Sequence, residues 1–145
     1  MKIVLDTNVL VSGLLSPYQA PGKIVRMVSS GLLSVCYDGR ILSEYQEVLA
    51  RPKFHFPSAQ IKVIMEQIRG DGKLISAPPL KGKLPDAQDE MFLEVAIAGR
   101  VRCLVTGNLK DYPVSLRQGV DVVSPSQMLE IYRGENHEKK EDVMF

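Results

Sequence analysis

The sequence predicts an α/β fold with a mainly parallel central sheet covered by helices on both faces. Two observations carry that prediction. Short, predominantly apolar runs (KIVL, LLSVCY, CLV) alternate along the chain with longer segments of helical period. Those runs also lack the in–out alternation of a strand with one wet face, so each needs a cover on both sides.

The elements follow in order. Residues 2–6 read as the first strand, and a helix is expected over 8–15 before SPYQAPG breaks it. In KIVRMVSSG, Ile24, Met27 and Val28 recur at helical spacing and Gly31 ends the helix. LLSVCYD is the second strand, with Asp38 placed to cap the helix GRILSEYQEVLAR. That helix has one apolar stripe (Ile41, Leu42, Tyr45, Val48, Leu49) and stops at Pro52. FPSAQIKVIMEQIRG is a further amphipathic helix, and KLISAPPLKGKLP gives a weak strand and a loop. The helix DAQDEMFLEVAIAG, the strand VRCLVTG and a strand in VDVVS come next. Ser124-Pro125-Ser126-Gln127 carries a capping serine, a proline at the first helical position and a glutamine at the third, which predicts a last helix over 125–132. The ending, RGENHEKKEDVMF, is charged and unpatterned. The 145 residues therefore divide into one domain over 1–133 and a mobile polar tail over 134–145.

Composition narrows the function classes. Eighteen Lys and Arg against seventeen Asp and Glu give no global basic field, so any nucleic-acid surface must be local. No apolar run is long enough to span a membrane, and the start lacks the form of a signal peptide, so a cytoplasmic protein is expected. Cys36 and Cys103 lie inside apolar strands and read as reduced core residues.

In parallel sheets, sites form at the carboxyl ends of strands. Asp6 stands at such an end, and Thr106, Gly107 and Asn108 stand at another. Helices that start after these strands bring their first turns to the same rim. Asp86 and Asp89 are three residues apart at a helix start, and Glu44 lies one step off the apolar stripe of its helix. The predicted constellation is Asp6, Glu44, Asp89 and Asp86, with Asn108 beside them. Converging carboxylates repel unless a cation neutralises them, and an all-oxygen set suits magnesium or manganese. Such ions assist phosphodiester cleavage. Plainer roles compete: helix-start aspartates such as Asp38, Asp86 and Asp89 often serve as caps, and a glutamate in a helix is usually solvated. Asp6 is harder to explain that way. His55 and His137 read as surface residues. A phosphohydrolase with Asp6 as nucleophile would want a second acid two positions on, where Asn8 stands.

The chain also resembles a known family. VLDTNVLVSGLL is similar to the opening motif of PIN-domain nucleases, ILSEYQEVLARPKF to the helix that carries their second acid, and DAQDEMFLEVAIAGRVRCLVTGN to their third motif and the strand of the fourth. Within the family it most resembles toxin components of toxin–antitoxin pairs. The resemblance runs from Lys2 to about Ile131. It implies an α/β/α sandwich, with Asp6, Glu44 and Asp89 as metal-binding acids and Asp86 as a helper. It further implies that Thr7 and Asn8 orient the strand-end loop and that Thr106 hydrogen-bonds Asp6. Asn108 departs from the aspartate found there in many members, with Asp111 as a partial substitute. The implied activity is magnesium- or manganese-dependent cleavage of RNA by a homodimer restrained by a small antitoxin. The alternative is a catalytically weak scaffold that binds RNA or protein. Candidate RNA contacts are Arg51, Lys53, Lys81, Lys83 and Lys110. Dimer surface is expected on the helix with Ile61, Ile64, Met65 and Ile68, or on that with Ile24 and Met27.

Overall fold

The computed structural model describes the backbone of residues 1–144 and the side chains of residues 1–136. In chain order the elements are β1 (Lys2–Leu5), α1 (Thr7–Leu15), α2 (Ala20–Ser29), β2 (Ser34–Tyr37), α3 (Gly39–Leu49), α4 (Ser58–Asp71), β3 (Lys73–Leu74), α5 (Glu90–Gly99), β4 (Cys103–Val105), β5 (Val122–Val123) and α6 (Pro125–Met144). Single 3-10 turns occupy Pro52–Phe54, Ala87–Asp89, Leu109–Asp111 and Val114–Leu116.

The strands form one five-stranded sheet in the order β3-β2-β1-β4-β5, every pair parallel. With helices packed on it, the sheet makes a three-layer α/β/α sandwich. The apolar strands are buried as their composition requires. Ile3, Val4 and Leu5 are inaccessible to solvent, as are Cys103, Leu104 and Val105. Each large side chain buried this way stabilises the fold by ~1.5–3 kcal/mol relative to exposure. Cys36 and Cys103 are free, buried thiols, and burial pushes Cys103 up to about 12, so both are packing residues.

Local signals explain the boundaries. Asp38 Oδ1 accepts from the Ile41 amide at 3.1 Å and starts α3. A reciprocal capping box starts α6: Gln127 Oε1 accepts from the Ser124 amide at 2.8 Å, and Ser124 Oγ from the Gln127 amide at 3.2 Å. Two boundaries differ from expectation. α2 begins at Ala20 because Pro21 sits in its first turn, where a missing N–H costs nothing. α6 runs to Met144 rather than ending near 132, since Glu and Lys are good helix formers and no proline interrupts them. The predicted mobile tail over 134–145, with His137, falls mostly on residues whose side chains lie outside those described.

The dimer faces expected on α2 and α4 are largely used within the protomer. Ile24, Ile61, Ile64, Met65 and Ile68 are buried there, and Met27 is half-buried. The exposed large apolar residues are instead scattered, among them Leu15, Tyr18, Leu32 and Val63. Among the described residues, no helix is long and apolar enough to cross a membrane.

Candidate active site

The chain builds the sheet outward from β1 through β2 to β3, then returns to the other side of β1 with β4. The direction of winding therefore reverses between β1 and β4, and a crevice opens above their carboxyl ends. Asp6 and Thr106 end those two strands, and the Asp6 amide donates to the Val105 carbonyl at 2.9 Å.

Asp6 is 5% exposed and sits at the N-cap of α1 without closing a side-chain capping bond. Its carboxylate is held from elsewhere. Thr106 Oγ1 donates to Oδ2 at 2.9 Å and the Tyr112 hydroxyl donates to the same oxygen at 3.1 Å. Burial pushes the Asp6 carboxyl above its ordinary range, while Thr106, Tyr112 and the nearby Asn8 amide oppose that rise and the Glu44 charge adds to it. The Thr106 hydroxyl also accepts from the Asn108 amide at 3.1 Å, so the end of β4 is tied to Asp6 through one oxygen. Asn8 Oδ1 accepts from the Gly107 amide at 2.9 Å and links the two strand ends a second time. A Cβ at position 107 would lie 3.1 Å from that oxygen, a tight contact that glycine avoids.

Glu44, half-buried on α3, accepts a hydrogen bond from Thr7 Oγ1 at the start of α1. One turn-neighbour along the same helix, Tyr45 is fully buried, and its hydroxyl donates to the Leu5 carbonyl just before Asp6. Asp89 closes a 3-10 turn immediately before α5. Its carboxyl is raised to about 7, first by burial and then by the charges of Asp6, Asp111, Asp86 and Glu44. Five acids from four separate segments thus share one electrostatic neighbourhood.

Asp86 and Asn108 are placed differently from Asp6. Asp86 is exposed and caps the Ala87–Asp89 turn, its Oδ1 accepting from the Gln88 amide at 2.9 Å. Asn108 is exposed, and its side-chain amide donates to Asp111 Oδ1 at 3.1 Å. Of the basic residues, Arg51 is paired with Glu47 at 3.1 Å and Lys53 lies over the Phe54 ring, 5.0 Å from its centre. Lys81, Lys83 and Lys110 are exposed.

The donors are all hard oxygens, and burial together with their mutual repulsion lifts Asp89 toward neutrality; a divalent cation relieves that repulsion. The arrangement is open rather than a ready-made cage: among the described residues, no three His, Cys, Asp or Glu side chains are gathered tightly enough to hold a metal ion. The donor chemistry fits a cation that retains water and takes further oxygens from substrate.

Three buried polar residues escape sequence reading. Tyr112 follows a strand in a loop with no periodic pattern, so nothing marks it as buried. Tyr45 is legible as part of an apolar stripe, but the reach of its hydroxyl is not. Glu94 sits on the buried face of α5, where Oε1 accepts from Arg40 Nη1 at 2.7 Å and Oε2 from the Leu80 amide at 2.8 Å. It anchors the loop that leads to Asp86.

Comparison with known proteins adds one finding. Residues 2–110 match the family model described as PIN domain. No curated protein matches the chain.

Proposed function

The chain belongs to the PIN domain family, whose fold is of nuclease type, and from that premise we propose that it is a magnesium- or manganese-dependent endoribonuclease. The observation that carries the reading is the shared neighbourhood of Asp6, Glu44 and Asp89 at the β1–β4 crevice, with Asp89 raised to about 7 by burial first and then by its acidic neighbours. PIN domains are generally metal-dependent nucleases, and a cation is the partner that acids sharing one neighbourhood call for.

Asp6, Glu44 and Asp89 are the residues that would hold the cation, with Asp86 and Asp111 adding negative charge at the rim. Bound there, a divalent cation supplies positive charge to the scissile phosphate and acidifies the attacking water. The chain's own work is orientation. Thr106 and Tyr112 fix the Asp6 carboxylate, Thr7 fixes Glu44, and Tyr45 and Asn8 fix the backbone on either side of Asp6. Such preset geometry saves the ordering cost at the moment of reaction. Asn108 contributes an uncharged oxygen where an acid would add charge, which favours one cation over two. Lys81, Lys83 and Lys110, which pair with no carboxylate among the described residues, are suited to the RNA backbone, while Arg51 and Lys53 already have partners in Glu47 and Phe54.

The wider reading is a cytoplasmic toxin of a toxin–antitoxin pair, acting as a homodimer and silenced by a small partner protein. The exposed Leu15 and Tyr18, at the corner between α1 and α2, are among the apolar residues available to an interface. Calorimetric titration with Mn²⁺ tests the core of the proposal. Wild type should bind the ion, and Asp6→Asn and Asp89→Asn should fold yet lose both that binding and RNA cleavage. Cleavage retained in both variants would remove the mechanism. Growth arrest on expression, dependent on Asp6, tests the toxin role.

A further inference from the structure

The two loops that lead to Asp86 and away from Tyr112 line a cavity of about 210 Å³, formed by Leu80, Lys81, Gly82, Lys83, Leu84, Ser115, Leu116 and Gln118. Both walls are anchored to the site. On one wall, Leu84 is two residues from Asp86, a span of roughly 7 Å at full extension. The Leu84 amide donates to Glu90 Oε2 at 3.0 Å, beside Asp89 in sequence, and Glu94 holds the Leu80 amide. On the other wall, the turn Val114–Leu116 follows Tyr112, whose hydroxyl holds Asp6. Arg117 Nε donates back to the Tyr112 carbonyl at 2.8 Å and fixes that wall.

The lining has two chemical parts. Leu80, Leu84 and Leu116 are buried or half-buried and make an apolar floor. Lys81 and Lys83 are exposed, and among the described residues neither is paired with a carboxylate. Ser115 and Gln118 are exposed and add hydrogen-bonding groups at the mouth. Gln118 and Gly119 both have positive φ (52° and 87°), so the chain turns sharply there. The volume is below the ~300–1,000 Å³ of sites for drug-sized ligands and suits a single ring system. An apolar floor under a flat ring, with two ammonium groups beside it, is the chemistry of a nucleotide: a base to cover and a phosphate to neutralise.

We propose that this cavity seats one nucleotide of the RNA next to the phosphate that is cut. Its base lies on the Leu80–Leu84–Leu116 floor and its phosphate meets Lys81 and Lys83. The seat rests on the nuclease reading, and it sets which side of the acidic crevice the strand crosses.

The test uses the full-length ¹⁵N-labelled chain without metal, titrated with uridine and adenosine 5′-monophosphate, a pentaribonucleotide, inorganic phosphate and an acidic peptide. Nucleotides and RNA should shift the amides of 81–84 and 115–118, and phosphate alone should leave the 115–118 wall unmoved. Lys81→Ala/Lys83→Ala should weaken the RNA about tenfold at moderate salt and lower its log–log salt slope by about 1.4, two contacts' worth for a single strand. Gln118→Gly keeps the positive φ and should weaken the nucleotides. Shifts confined to other surfaces, identical shifts from phosphate, a response to the acidic peptide alone, or unchanged affinity and slope would each overturn the seat. Cleavage, assayed separately, distinguishes the two ideas. Normal turnover and KM in these variants would discard the seat and keep the nuclease, whereas nucleotide shifts without turnover would do the reverse.

Discussion

Replacing Tyr112 with phenylalanine removes one oxygen from the interior and one donor from Asp6. The ring is fully buried and its hydroxyl gives Asp6 Oδ2 one of the two side-chain hydrogen bonds that oxygen receives. A hydrogen bond to a charged group is worth ~1.5–3 kcal/mol, and phenylalanine fills the same space, so the loss at neutral pH should be about 1.5–2 kcal/mol. The effect must depend on pH. This bond favours the ionised carboxylate and lowers the folded pKa of Asp6 relative to a chain without it. Its contribution is therefore present above that pKa and lost as pH falls through it. In the variant the Asp6 carboxyl should therefore lie above its wild-type position. Urea unfolding of metal-free wild type and Tyr112→Phe at pH 8 and pH 5 measures this directly. The variant should be weaker at pH 8 and closer to wild type at pH 5. Equal stability at pH 8, or a deficit that grows on acidification, would refute the argument that Tyr112 serves the Asp6 carboxylate.

Three further predictions follow from the same geometry. Asp89 has a folded pKa of about 7 against an ordinary 3.8, so between those values the folded chain binds more protons than the unfolded one. Metal-free stability should fall as pH rises through that window, and Asp89→Asn should raise the urea midpoint at pH 8 but not at pH 4.5; the opposite order would contradict the crowding of acids there. Gly22→Ala puts a Cβ 2.2 Å from the Pro17 carbonyl oxygen, so the corner between α1 and α2 must open, at ~2–3 kcal/mol, read as a lower thermal midpoint. Glu94→Gln should cost about 1–2 kcal/mol, well below the 3–5 of a fully buried pair, because the Arg40 side chain is 51% exposed. Faster amide exchange at Leu80 would locate the loss.

The fold was legible because buried parallel strands write themselves as short apolar runs, and KIVL, SVCY and CLV carry no competing pattern. β3 was weak in sequence for a physical reason: it is a two-residue edge strand, exposed at both positions. The 3-10 turn at Ala87–Asp89 was read as the start of α5, since single-turn helices leave no period to detect. At the candidate site, Asp6 and Thr106 were expected from strand ends, Asp89 from a helix start, and Glu44 from its place in a second helical turn one step off the apolar stripe. Asp86 illustrates the limit. Its spacing fits both a cap and an acid of the site, and the structure has it capping Gln88 while its charge still raises Asp89. Tyr112 and Glu94 depend on which loop folds over which strand end, and that is tertiary information absent from local pattern. The dimer faces failed for a related reason: an amphipathic stripe states that a face is buried without stating whether the partner is the same chain.

The proposed role of the acids at the β1–β4 crevice is cleavage of RNA with a divalent cation. The most direct measurement is cleavage of a structured RNA pool by the purified protein with magnesium, with manganese, or with chelator, beside Asp6→Asn. Cutting should require the cation and disappear in the variant. A folded, cation-loaded wild type that binds RNA and leaves it intact, or cutting that survives in Asp6→Asn, would contradict it.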